Sequence, residues 1–183
     1  MQVLFQIKII KYLEFCTKAF IMKNMKWDLI SDVILIASIA VLGVFAILGI
    51  YQLFTRKSLK KVDHRLLWVI LPLLLMVIVY FVFDKFFVLN VRPNGTGEPS
   101  FPSSHVMVVA TIFFLAALNL PYYVKSKSVQ IILDLIMLFL LVLVCFGRVL
   151  SNMHWLSDVL GGLGFALIFT LIYYLITRRL NHA

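Results

Sequence analysis

The chain has 183 residues, 63% of them hydrophobic, with a mean hydropathy of +1.04. Soluble domains carry roughly half apolar residues, and the excess here is gathered into long runs, which excludes a soluble fold and points to an all-α membrane helix bundle. The formal net charge of +9 would suggest nucleic acid in a soluble protein, but the basic residues sit mostly in short loops between apolar runs, where they read as topology signals and contacts to membrane lipids.

Residues 1–23 are apolar but interrupted by Lys8, Lys11, Glu14 and Lys18, which share one side of a helix. Leu4, Phe5, Ile9, Leu13, Cys16 and Phe20 occupy the opposite side. Each charge at the centre of a spanning helix costs about 2.5–3.5 kcal/mol, so an interfacial amphipathic helix is the cheaper reading, with a sixth span as the alternative. Residues 1–27 then form an amphipathic N-terminal segment, and 33–178 form the helical core of a single domain.

Five runs are long enough to cross a membrane: Val33 to Phe54, Leu66 to Phe83, Val106 to Leu120, Val129 to Phe146 and Val159 to Ile176. Gly43, Gly49, Gly161, Gly162 and Gly164 are expected to let helices approach closely. The basic loops carry Arg56, Lys57, Lys60, Lys61 and Arg65, then Lys125 and Lys127, then Arg178 and Arg179. All fall on one side if each run spans once, and the positive-inside rule makes that side cytoplasmic. Lys23 and Lys26 conflict with this unless the first segment spans. Cys16 and Cys145 lie far apart in apolar stretches, as expected of two small core residues, with neither disulfide nor metal site implied.

Three polar islands interrupt the apolar sequence on the opposite side. The first is Lys85-x6-Arg92-Pro93, the second Pro102-Ser103-Ser104-His105 and the third Arg148-x5-His154-x3-Asp158. Their cations, imidazoles, carboxylate and hydroxyls suit the gripping of a phosphate and its attack by a histidine. His154 and Asp158 are four apart and would share a helix face, where the carboxylate accepts from one imidazole nitrogen and leaves the other as nucleophile. Arg148 offers a fork for phosphate oxygens, and Asp158 is alternatively a helix N-cap. Ser103 or Ser104 can cap the next helix, whose free amides favour an anion, with His105 near enough to serve as general acid. Lys85, at membrane depth, is a functional candidate or a snorkelling side chain.

Together the islands resemble the three-part signature of the type 2 phosphatidic acid phosphatase family of membrane lipid phosphatases, which vanadium haloperoxidases share on soluble folds. The resemblance implies a metal-independent, two-step phosphoryl transfer without cofactor. His154 would be the nucleophile, Asp158 its orienting carboxylate and His105 the acid and later the base. Lys85, Arg92, Ser103 and Arg148 would hold phosphate oxygens, with backbone amides near Ser104. Two positions depart from the family pattern: Gly147 stands where a Ser is usual, and Ser104 where a Gly is usual. The implied substrate is a lipid phosphate or diphosphate at the outer face of a bacterial cytoplasmic membrane. Undecaprenyl diphosphate is favoured, with phosphatidylglycerophosphate, phosphatidic acid and a lipid A phosphate as alternatives. A non-catalytic lipid-binding or transport component is the competing class, although such a chain would be expected to lose His105, His154 or Asp158.

Overall fold

A computed structural model describes the backbone of residues 2–180 and the side chains of residues 25–180. Six α-helices follow one another: α1 (Gln2–Arg56), α2 (His64–Trp68), α3 (Ile70–Lys85), α4 (Ser104–Tyr123), α5 (Lys127–Leu150) and α6 (Leu156–Leu180). Among the described residues there is no strand, only an isolated bridge between Val91 and Pro99. Pro72 explains the break between α2 and α3. It has no N–H for the carbonyl of Trp68 and its ring crowds that carbonyl, so the helix is interrupted at Val69. Among the described residues, five stretches are long and apolar enough to cross a membrane: Met25–Arg56, His64–Lys85, Ser104–Tyr123, Lys127–Leu150 and Leu156–Leu180.

The spans match the five expected runs, but the first begins earlier. No break separates residues 1–27 from the core, because α1 is continuous from Gln2. The amphipathic face expected of residues 1–23 falls on side chains outside the described ones. The extension matters at Asp28 and Asp32, which fell between the expected N-terminal segment and core and here belong to α1.

The centre of the bundle is α4, which packs on α1, α3, α5 and α6. Its Val106, Val109, Ala110 and Phe113 meet Ile34, Val144 and Ala166 in one core cluster. Lipid tails are as apolar as these side chains, so the gain is packing density rather than release from water. The outward faces stay apolar, with Ile36, Ile47, Leu138, Phe139, Leu160 and Leu171 exposed for lipid to cover. Buried hydroxyls within the spans are satisfied locally. Ser31, Thr111, Thr170 and Thr177 each donate to the carbonyl one turn back.

Three glycines set close approaches, and at one of them, Gly161, a Cβ would run into the Phe101 ring. A Cβ on Gly147 would stand 2.5 Å from Ser31 Oγ and 3.3 Å from the Trp27 carbonyl oxygen, so α1 and α5 touch there backbone to backbone. A Cβ on Gly162 would stand 2.8 Å from the Ser103 carbonyl oxygen, which brings the second island onto α6. Gly43 and Gly164, by contrast, face open space and mediate no approach.

Candidate active site

The chain crosses the bundle so that the loop 86–103, the start of α4, the end of α5 and the start of α6 meet at one end. The Arg148-to-Asp158 turn is built locally. Ser151 N donates to the Gly147 carbonyl, and Asn152 adopts φ 57°, a left-handed conformation that Asn tolerates. The chain then doubles back, and His154 N donates to the Arg148 carbonyl at 3.1 Å. His154 therefore lies ahead of α6 rather than on it, and it is buried, at 4% exposure.

The tautomer of His154 is set by the backbone. Nδ1 lies 2.8 Å from the Ser100 carbonyl oxygen, which only accepts, so Nδ1 carries the proton and Nε2 keeps its lone pair. Asp158 Oδ2 stands 3.7 Å from the same nitrogen, close enough for charge support but not for a hydrogen bond. Burial pushes the His154 imidazole down to about 4, helped by the Arg148 charge and opposed by the Ser100 hydrogen bond and the Asp158 charge.

Asp158 is fully buried and holds the site together. Its Oδ2 accepts from the backbone N of Trp155 at 2.9 Å, the backward half of a capping box at the start of α6. Its Oδ1 accepts from Asn90 Nδ2 at 2.8 Å, and its carbonyl accepts from Ser103 N at 3.0 Å. One residue thus joins the loop 86–103, the second island and the third. It sits inside the first turn of α6, not at the N-cap position.

His154 opens into a small pocket with Tyr80, Asp84, Arg92, Ser100, Phe101 and Ser104 among its walls. Arg92 NH1 pairs with Glu98 at 3.1 Å. Ser103 holds the N-cap position of α4 but makes no cap bond. Arg92 Nε, Arg148 Nε, Ser100 Oγ and Ser103 Oγ are buried and have no hydrogen-bond partner. The first amides of α4 likewise lack intrahelical carbonyls. Lys85 stands apart from this pocket. It is exposed and its Nζ pairs with Asp84 Oδ2 at 2.8 Å, so only its partner reaches the pocket wall.

His105 and Arg148 meet residues absent from the sequence reading. His105 Nε2 lies 2.8 Å from Asp32 Oδ1. Arg148, only 2% exposed, pairs through NH1 with Asp28 Oδ1 and stands 3.9 Å from Asp32 Oδ1. A guanidinium this deeply buried requires such a partner. Arg148 also lies within electrostatic reach of both imidazoles. The signal was two carboxylates four apart at the head of an apolar run, placing both on one helix face. Two larger cavities, of about 380 and 390 Å³, lie at the other end of the bundle and hold none of the island residues.

Unpaired buried donors thus gather at the end of the bundle that holds His154, two of them, from Arg92 and Ser100, on residues that line its pocket. The profile of the PAP2 superfamily matches residues 83–182, more than half of the chain and all three islands from Lys85 onward. The chain belongs to the PAP2 superfamily. Its fold is similar to that of a solved structure described as the first transmembrane PAP2 type phosphatidylglycerolphosphate phosphatase, from Bacillus subtilis. The two share 22% identity over 94% of this chain and 87% of that one, with a TM-score of 0.65. No curated protein matches the chain. The superfamily and that relative are phosphatases, and the chain is a phosphate ester hydrolase of the membrane. The helices α1 and α2, with Asp28 and Asp32, lie outside the matched residues.

Proposed function

We propose that this enzyme removes phosphate from a membrane lipid phosphate or diphosphate through a phosphohistidine on His154. The observation that carries the reading is the contrast between buried polar groups. Within the spans, buried hydroxyls bond to their own helix. At the end of the bundle that holds His154, by contrast, the hydroxyls of Ser100 and Ser103 and the Nε donors of Arg92 and Arg148 are buried without partners, and Ser100 and Arg92 line the His154 pocket itself. Leaving such groups unpaired costs about 1–3 kcal/mol each, which a bound phosphate would recover.

In the proposed first step, His154 Nε2 attacks phosphorus while the bond to the leaving oxygen breaks. Arg92, Arg148, Ser103 and the amides at Ser104 hold the non-reacting oxygens, and His105 protonates the leaving oxygen. In the second step His105 takes a proton from water, whose oxygen displaces Nε2 and releases phosphate. Lys85 acts at the rim, where it attracts the anionic headgroup. Charge on the phosphate is met by guanidinium groups and helix-start amides, so the proposed chemistry needs no metal.

The nine basic residues named above lie at the end of the bundle away from His154. Their position supports an outward-facing site in a bacterial cytoplasmic membrane. Undecaprenyl diphosphate, handled on that face, is the substrate proposed first. A second reading, phosphatidylglycerophosphate, is favoured by what the similar Bacillus subtilis structure is described as acting on. Phosphate release by purified protein in detergent and EDTA, across both lipids, phosphatidic acid and a lipid A phosphate, tests the proposal. Turnover of at least one lipid, inhibited by vanadate, is expected. Activity on none of them, or activity restored only by added Mg²⁺, contradicts it.

A further inference from the structure

The role given to His105 leaves open what selects the nitrogen that exchanges the proton. We propose that Asp32, on α1, is the positioning residue for His105, holding it as the proton donor and acceptor of the reaction. This inference deepens the proposed function and rests on its assignment of His105 as the acid.

The geometry is direct. Asp32 Oδ1 lies 2.8 Å from His105 Nε2, and a carboxylate oxygen accepts, so Nε2–H donates. Nδ1 is then the atom that carries the proton in and out. The ring also loses its rotational freedom, since the bond spans two helices with no covalent link nearby. The approach of α1 is itself built. Gly147 lets Trp27 and Ser31 close onto α5, and the Asp28 pair with Arg148 fixes the helix one turn before Asp32. His154 shows the same design with a different acceptor: its Nδ1–H is held by the Ser100 carbonyl and its Nε2 is left free. The two imidazoles thus turn opposite nitrogens to their acceptors, leaving Nε2 of His154 for attack and Nδ1 of His105 for the proton.

The proton balance follows. As the His154 Nε2–P bond forms and the P–O bond to the lipid breaks, the Nδ1–H of doubly protonated His105 passes to the departing oxygen and an alcohol leaves. His105 is then neutral, with Nε2–H still on Asp32. In the second half, Nδ1 takes a proton from water as the water oxygen bonds to phosphorus and the N–P bond breaks. Phosphate leaves and both histidines return to their starting forms.

A general acid matters for an alkoxide leaving group and little for a nitrophenolate, which departs unaided. Single-turnover phosphoryl transfer by the full-length protein is therefore compared between dihexanoyl phosphatidic acid and p-nitrophenyl phosphate. Asp32→Asn is expected to slow the alkyl ester about 30-fold and the nitrophenyl ester less than about threefold, a partial loss of the roughly 10²–10⁴-fold that a general acid contributes. His105→Asn should show the same selectivity more strongly, and the double variant should be no slower than His105→Asn alone. Asp32→Ser repeats the comparison if the Asn variant does not accumulate. Equal losses on both esters, or no loss on either, overturn the role of Asp32. If His105→Asn is selective and Asp32→Asn is not, only this inference falls. If His105→Asn loses equally on both, the assignment of the acid falls with it.

Discussion

The imidazole of His154 donates from Nδ1 to the carbonyl oxygen of Ser100, 2.8 Å away, and not to Asp158. A backbone acceptor cannot ionise, so the tautomer it fixes persists over the whole working pH range. Asp158 is left free to bind three segments of the site together.

The first expectation concerns this titration. Burial and the Arg148 charge depress the His154 imidazole to about 4, well below the ordinary 6.5. Between those values the unfolded chain binds a proton that the folded protein does not, so stability falls as pH is lowered through that window. Nitrogen NMR of the free enzyme should find His154 neutral at pH 6, protonated at Nδ1, and titrating below pH 5. A transition near 6.5 would contradict the buried environment.

A second expectation separates orientation from chemistry. Asp158→Asn preserves shape but replaces one acceptor by a donor facing Asn90 or Trp155 N. It should slow turnover less than His154→Ala, which abolishes it. Asp158→Ala strands both donors and should cost about 2–4 kcal/mol of stability. Thermal denaturation in detergent alongside phosphate release checks both. An Asp158→Ala protein as stable as wild type would remove the residue from its tying role.

Most of the architecture was legible because spans and islands are marked by composition. Apolar runs with at most one charge, Asp134 in the fourth, marked five crossings, and each island fell at an end of a crossing. What stayed hidden depends on partners rather than on residue type. The first span was read from Val33, so Asp28 and Asp32 fell between the N-terminal segment and the core, although they pair with Arg148 and His105 within the bundle. The Ser100 acceptor is a backbone atom and leaves no trace in a side-chain pattern. Lys85 matched the motif, but its neighbour Asp84 pairs with it at the rim.

That difference gives a third expectation. Arg148→Ala removes a buried guanidinium and strands Asp28, whereas Lys85→Ala removes an exposed cation. Arg148→Ala should lower kcat/KM by more than about a hundredfold, and Lys85→Ala by less than about tenfold with KM affected most. Equal losses would place Lys85 on the phosphate in the bound state.

Gly147 supplies a fourth. Adding a methyl there presses on Ser31 Oγ and the Trp27 carbonyl and pushes α1 outward. Gly147→Ala should reduce turnover of an alkyl phosphate by loosening Asp32 from His105, while a protein folded by near-ultraviolet circular dichroism remains. Unchanged turnover would show that the closeness of α1 is not needed.

The account's central claim is a phosphorus–nitrogen bond on His154. Rapid quench of the His105→Asn enzyme after mixing with radiolabelled p-nitrophenyl phosphate, followed by peptide mapping, measures it directly. A base-stable, acid-labile label on the peptide containing His154, absent from His154→Ala, is the result expected. Turnover retained by His154→Ala, or a label on any other residue, would contradict the account.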